Sequence, residues 1–304
     1  MAEERWPQVF QRGFGILWII DGILKLQPEM FTSNLISNVV GANATDNQPA
    51  WLYHLMIAGA NLWHAGLPYT TIAMALFEMA IGIGLMTLSG PKLRMVLWVL
   101  VAWCLIVWVM AEGMGGVLSG TPTFPGDSPG STPFYAIGAL LLLYPHWVKP
   151  TFYRWAGVFW GIAAVVQLLP YNWKASTLAG IFGNVTMNGF EPAWVDRLNN
   201  AFIVLGFHHP IVINIVFVVV MALLAMGYAS GRIAGPVWWI TIIWLAFLWV
   251  VPQAFGTLFT GTGTDLGNEF PLVLLLWAAK RMSVSGTSSH RINDRASTAS
   301  DTLS

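Results

Sequence analysis

Apolar residues gather along this chain in eight long blocks, divided by stretches rich in Gly, Pro, Ser and Thr. The blocks lie near 12–28, 68–88, 94–117 and 131–147, and again near 152–170, 210–228, 235–258 and 268–282. A helix crosses hydrocarbon with about 20 apolar residues, so each block is a predicted span. The first and fourth of each set are short and fit a tilted helix or a thinned bilayer. Residues 51–66, WLYHLMIAGANLWHAG, are apolar with scattered polar positions and predict a helix at the membrane surface or tucked into the outer leaflet. The stretches 29–67, 118–131 and 171–209 read as outward loops, with turn punctuation such as SGTPTFPGDSPGSTP. The end, 283–304, lacks apolar periodicity and reads as a disordered cytoplasmic tail.

The blocks come twice because the text comes twice. VWVMAEGMGGVLSGTPT (107–123) answers LWVVPQAFGTLFTGTGT (248–264), and GILWIIDGILKLQP (15–28) answers GVFWGIAAVVQLLP (157–170). QPAW ending at Trp51 matches EPAW ending at Trp194, and the offset holds at 141 to 143 residues. Such self-similarity predicts a tandem duplication: a first four-helix repeat over 1–148, a second, degenerate one over 149–282, and the tail.

Composition moves the solvent from water to lipid. Hydrophobic residues make up 56% of the 304, charged residues 9%, and there are 17 tryptophans; an ordinary soluble domain carries about 25% charge. That much apolar surface leaves too little to keep an exterior wet. Zero net charge without a basic tract points away from nucleic acid. MAEERWPQVFQR has no small-residue cleavage site and does not read as a cleaved signal peptide. Cys104, alone, excludes an intrachain disulfide. With eight spans and the N-terminus inside, Arg5, Arg12, Lys92, Arg94, Lys149, Arg154, Arg232, Lys280, Arg281, Arg291 and Arg295 fall on the cytoplasmic side. Only Lys174 and Arg197 fall outside. Four spans return each repeat to its starting side, so the copies run parallel. The predicted fold is an all-α integral membrane protein of two tandem parallel four-helix repeats. It has about eight transmembrane helices, interfacial helices on the outer side, and both termini cytoplasmic.

Ionisable groups within a bilayer cost about 2.5–3.5 kcal/mol each and are kept for pairing or function. Asp21 and Lys25, four apart, share a helical face and form either a self-neutralising pair or a working one. Their equivalents are Ala163 and Gln167. Glu78 stands mid-span opposite Val220 of the second copy and needs a cation nearby to stay charged; Lys25 is the candidate. Glu112 ends its span just before Gly113, Gly115 and Gly116, where Gln253 stands in the second copy. The acids thus mark the first copy, and the shared glycines read as architecture. GMGGVLSG lacks the strand and Lys-Ser/Thr of a phosphate loop. His54 and His64 are ten residues apart, His208 and His209 adjacent, and neither spacing is a metal pair. His54 and His64 remain candidate proton carriers, while Trp51, Trp63 and Trp194 read as interfacial anchors.

The first half resembles the DoxX/DoxD-like membrane proteins, small four-helix proteins of which some are subunits of thiosulfate:quinone oxidoreductase. The resemblance rests on GILWIIDGILKLQP and on FEMAIGIGLMTLSG (77–90), an acid-led glycine-rich helix followed by Lys92 and Arg94. It implies a membrane subunit of a quinone-linked oxidoreductase system, with a quinone pocket in the outer half of the first repeat under the 51–66 helix. Asp21, Lys25, Glu78 and Glu112 would supply hydrogen bonds and proton transfer, and Trp18, Trp63, His54 and His64 would hold the quinone. No flavin, haem, iron–sulfur or metal motif is present in the sequence, so a protein partner would supply electrons. The duplication, the long EGMGG-to-GDSPG segment and the loss of acidic and basic positions in the second half depart from the family pattern. A non-catalytic anchor or scaffold subunit is the alternative, with a small-solute transporter behind it.

Overall fold

The computed structural model describes residues 6–147, 151–183, 192–231 and 235–281. The expected tail 283–304 and the expected repeat boundary at 148/149 lie outside these residues. All regular structure in the described residues is helical. The principal helices are α1 Trp6–Leu24, α2 Ala50–Ala65, α3 Tyr69–Thr87, α4 Gly90–Met110, α5 Thr132–Leu143 and α6 Tyr153–Gln167. After them come α7 Ala175–Gly183, α8 Ala193–His208, α9 Pro210–Ala229, α10 Pro236–Val250 and α11, 269–281.

Among the described residues three helices are long and apolar enough to cross a membrane: α3 with 19 residues, α4 with 21 and α9 with 20. The other expected spans have different bounds. α1 starts at Trp6, and its polar Gln11 donates a side-chain hydrogen bond to the Leu85 carbonyl at 2.5 Å. The span expected to reach 117 stops at Met110, and a left-handed turn follows at 113–116. α5 and α10 are shorter apolar helices. The expected outward loop 171–209 is largely helical, holding α7 and α8. EPAW opens α8 as QPAW opens α2, each with its Pro as N-cap.

α1 packs along α3, and α6 along α9; α4 lies against α5, and α7 against α8. The α1–α3 contact is close because small residues face each other. A Cβ on Gly15 would stand 2.9 Å from the Gly82 carbonyl oxygen, and one on Gly82 would stand 2.6 Å from that of Gly15. Apolar helices that gain little from mutual burial in lipid associate through such backbone approach. One continuous core joins the halves, running from Phe10, Phe14 and Trp18 through Tyr135 and Trp160 to Phe217 and Leu272. Outside it Ile162, Ile211 and Ile243 remain 59%, 59% and 67% exposed on three different helices. An outer surface of that kind is what a lipid environment accepts.

Candidate functional site

The close α1–α3 approach brings Lys25, one residue beyond α1, against Glu78 on α3. Lys25 Nζ and Glu78 Oε2 are 2.6 Å apart, and both residues are buried. A buried pair repays desolvation only when further hydrogen bonds complete it. Here Trp103 Nε1 donates to Glu78 Oε1 at 3.2 Å and Lys25 Nζ donates to the Thr264 carbonyl at 2.7 Å. Asp21 does not pair with Lys25 through its carboxylate. Tyr135 donates to Asp21 Oδ2 at 2.7 Å, and Oδ1 of the same buried carboxylate has no partner.

Glu112 is positioned by backbone. Residues 113–116 have φ of +56°, +55°, +60° and +69°, one turn of left-handed helix. Three of the four are glycines, which adopt this region freely. The turn folds the chain back against 128–131: Trp108 Nε1 donates to the Pro129 carbonyl at 2.8 Å and Ser128 Oγ to that of Gly115 at 2.7 Å. Glu112 then receives Thr132 Oγ1 on Oε2 at 2.8 Å and Ser131 Oγ on Oε1 at 3.1 Å. Ser131 Oγ also lies 3.3 Å from Asp265 Oδ2. A hydroxyl has one hydrogen, so it can donate to only one of these carboxyls at a time.

Burial, and after it the Asp265 carboxylate, raise the Glu112 carboxyl to about 7 from an ordinary 4.5; the Thr132 and Ser131 hydroxyls oppose the rise. Between pH about 4.5 and about 7 the folded protein therefore holds a proton that the unfolded chain has released. Through this group alone, stability should fall as pH rises across that window, by up to about 3 kcal/mol. The Glu112→Gln protein should therefore lose less stability than the wild type, by about that amount, when unfolding is measured from pH 4.5 to 8.

The same construction recurs in the second half of the chain at an offset of 141. Ala254, Phe255, Gly256 and Thr257 have φ of +41°, +62°, +64° and +58°. Three carry side chains, and each such residue in left-handed geometry costs about 1–2 kcal/mol. Ser119 Oγ donates to the Gly116 carbonyl and meets Thr121 Oγ1 at 2.7 Å; Thr260 Oγ1 donates to that of Thr257 and meets Thr262 Oγ1 at 3.0 Å. The charge, however, changes sides. Gln253, equivalent to Glu112, donates from Nε2 to Glu269 Oε1 at 2.6 Å and to Asn268 Oδ1 at 3.1 Å. The expectation that the second half has lost its acids is thus corrected. Glu269 is buried at the start of α11, and the carboxyl has moved across the turn to a position that equal-offset alignment does not compare. The two halves also exchange contacts. Lys25 reaches the carbonyl of Thr264, while Gln167, its equivalent, accepts from Oγ1 of Thr123, the equivalent of Thr264, at 2.9 Å.

Asp21, Lys25, Glu78 and Glu112 all line one cavity of about 370 Å³, as do Trp18 and Trp63. Its polar wall also includes Asn43, Thr71, Ser131, Thr132, Tyr135 and Asp265; Met30, Val39 and Met74 are among its apolar residues. Leu62 and Ile106, also in the lining, are 75% and 49% exposed, so the cavity reaches an apolar part of the outer surface. His54 and His64 are exposed on α2 and do not line it. Their place on the outward side of a helix whose buried face is Leu52, Met56 and Ala60 separates them from the acids. Sequence reasoning missed Tyr135, Trp103 and Asp265. Tyr135 and Trp103 look like ordinary span aromatics, and Asp265 sits in a Gly/Thr-rich stretch that reads as solvated. Among the described residues no group of three or more His, Cys, Asp or Glu is arranged to hold a metal ion.

The polar atoms without partners show what the cavity can accept. Asp21 Oδ1 offers an acceptor and Trp18 Nε1 a donor, both buried within a largely apolar wall. That fits an apolar molecule bearing an oxygen able to donate and accept. Comparison with protein-family models, curated proteins and solved structures gave no match.

Proposed function

We propose that the protein is a membrane subunit of a quinone-linked oxidoreductase system whose first half holds a quinone. The observation that carries this reading is the convergence of Asp21, Lys25, Glu78 and Glu112 on one cavity that opens at Leu62 and Ile106. A quinone is an apolar body with two exchangeable oxygens, and its reduction takes up two electrons and two protons. Trp18 Nε1 has an unspent hydrogen to donate to one quinone oxygen, and Asp21 Oδ1 can accept from that oxygen once reduction makes it a hydroxyl. Lys25 is held by Glu78 and supplies a localised positive charge in the wall. Glu112, poised near neutrality, can hold or release a proton at Oε1 or Oε2. Apolar residues and α2, whose Gly59, Ala60 and Trp63 complete the lining, give the bound ring an apolar bed beside that polar end. The resemblance of the first half to the DoxX/DoxD-like proteins supports the same ligand class, and the electron donor is placed on a protein partner.

The architecture proposed with it is a tandem duplication of parallel four-helix units, about eight spans in the cell membrane with both termini cytoplasmic. The matched left-handed turns at 113–116 and 254–257 and the paired contacts of Lys25 and Gln167 support the duplication. The basic residues concentrated on one side support the orientation. Extraction of the detergent-purified protein, with mass spectrometry of its bound small molecules, should recover a quinone from the wild type and little from Glu78→Gln. Recovery of no quinone from the wild type after expression in quinone-containing membranes contradicts the reading.

A further inference from the structure

A second cavity, of about 470 Å³, lies beside the first and has the opposite character. The two share Val39, Asn43, Glu112, Ser131, Thr264 and Asp265. The left-handed turns of both halves build the second one: Gly115 and Gly116 come from one, Gly256 and Thr257 from the other. Hydroxyls are frequent in its wall, and three of them have their hydrogens already committed. Ser128 Oγ donates to the Gly115 carbonyl at 2.7 Å, Thr123 Oγ1 to Gln167 at 2.9 Å, and Thr260 Oγ1 to the Thr257 carbonyl at 2.8 Å. What these side chains can still offer a ligand is lone pairs.

The charges point the same way. Asp46, Glu112, Asp127 and Asp265 line the cavity, and among the described residues none in its lining is Lys, Arg or His. Asp46 and Asp127 are exposed and stand at its rim, which opens it to the surroundings. Independently of the acids, two polar atoms in the lining have no partner: Oγ1 of Thr177, a residue only 6% exposed, and Oε1 of Gln48. A volume of this size is in the range of small-molecule sites, roughly 300–1,000 Å³.

We propose that this outer cavity is a second ligand site, for a small organic cation of the ammonium or guanidinium type. Such a cation brings donors and no acceptors, which is the complement of a wall of lone pairs and carboxylates. An anion meets acidic side chains with no described cationic one to offset them, and a polyol brings as many acceptors as the wall already has. The site stands apart from the quinone reading, because neither Asp46 nor Asp127 lines the first cavity.

Saturation-transfer NMR of the full-length protein in lipid nanodiscs, titrated with methylguanidinium chloride, tests this. Glycerol and succinate serve as the neutral and anionic comparisons. Methylguanidinium should bind saturably and succinate should not, with glycerol at least about tenfold weaker. The Asp46→Asn/Asp127→Asn protein should bind the cation about tenfold more weakly while retaining the quinone content of the wild type. Thr177→Val, which adds no charge change, should weaken binding as well. Binding of glycerol or succinate as tight as that of methylguanidinium overturns the proposal. So does cation binding that the two Asp substitutions leave unchanged, or no saturable binding of the cation up to tens of millimolar.

Discussion

The Lys25→Met protein is expected to unfold well below the wild type, and Lys25→Met/Glu78→Gln to recover most of the loss. Lys25 Nζ and Glu78 Oε2 stand 2.6 Å apart, and both residues are buried. Removing one member of such a pair leaves an uncompensated charge and costs about 3–5 kcal/mol, whereas replacing both with neutral groups of similar shape can be close to neutral. Methionine keeps the length and apolar stem of lysine. It also abandons the Thr264 carbonyl, and with it a tie from the first half to a loop of the second. In the double variant a glutamine at 78 can still accept from Trp103 Nε1. Thermal unfolding of the four proteins in one detergent closes the cycle. A single variant as stable as the wild type means that Lys25 does not hold a charged Glu78, and the polar end of the cavity loses its organising pair.

A comparably large effect is expected at Gly115. Its φ is +60°, and a Cβ there would overlap the Pro129 backbone, which the left-handed turn brings against it. Overpacking against backbone and φ strain act together, and Gly115→Ala should cost about 3 kcal/mol or more. Gly120 separates the two causes. Its φ is +78°, yet a Cβ there has nothing within 4 Å, so Gly120→Ala should cost only about 1 kcal/mol. Because Pro129 precedes the Gly130–Thr132 segment that holds Glu112, Gly115→Ala should also shift the pH dependence assigned to that carboxyl. Equal unfolding midpoints for the two alanine variants would show that the close approach of the turn to 129 carries no stability.

Much of the site was legible because its cost was visible. Asp21, Lys25 and Glu78 interrupt apolar text, and such interruptions in a lipid-embedded chain have to converge on something. They do so because Gly15 and Gly82, which look like any small residues of a span, let α1 and α3 touch. The recurrence of similar residues at offsets of 141 to 143 was legible too. The geometry of the repeated turn was hidden. EGMGG advertises left-handed backbone through its glycines, but Ala254, Phe255 and Thr257 do so only by alignment with it. The buried acid of the second half escaped for a related reason. The turn places Thr132 against Glu112 and Glu269 against Gln253, so a carboxyl can trade places with its partner without disturbing the backbone. Helices α7 and α8 were obscured by the polar residues among them, and His54 and His64 drew attention by residue type although α2 turns its other face inward.

The claim on which the account rests is that the cavity of the first half is a quinone site. Photolabelling of the membrane-embedded protein with an azido-quinone, followed by peptide mapping, tests it most directly. The predicted result is labelling of segments 30–40, 59–74 and 103–111 that excess unlabelled quinone suppresses and Glu78→Gln reduces. Labelling confined to the second half, or spread over all lipid-facing helices and indifferent to competitor, would contradict it.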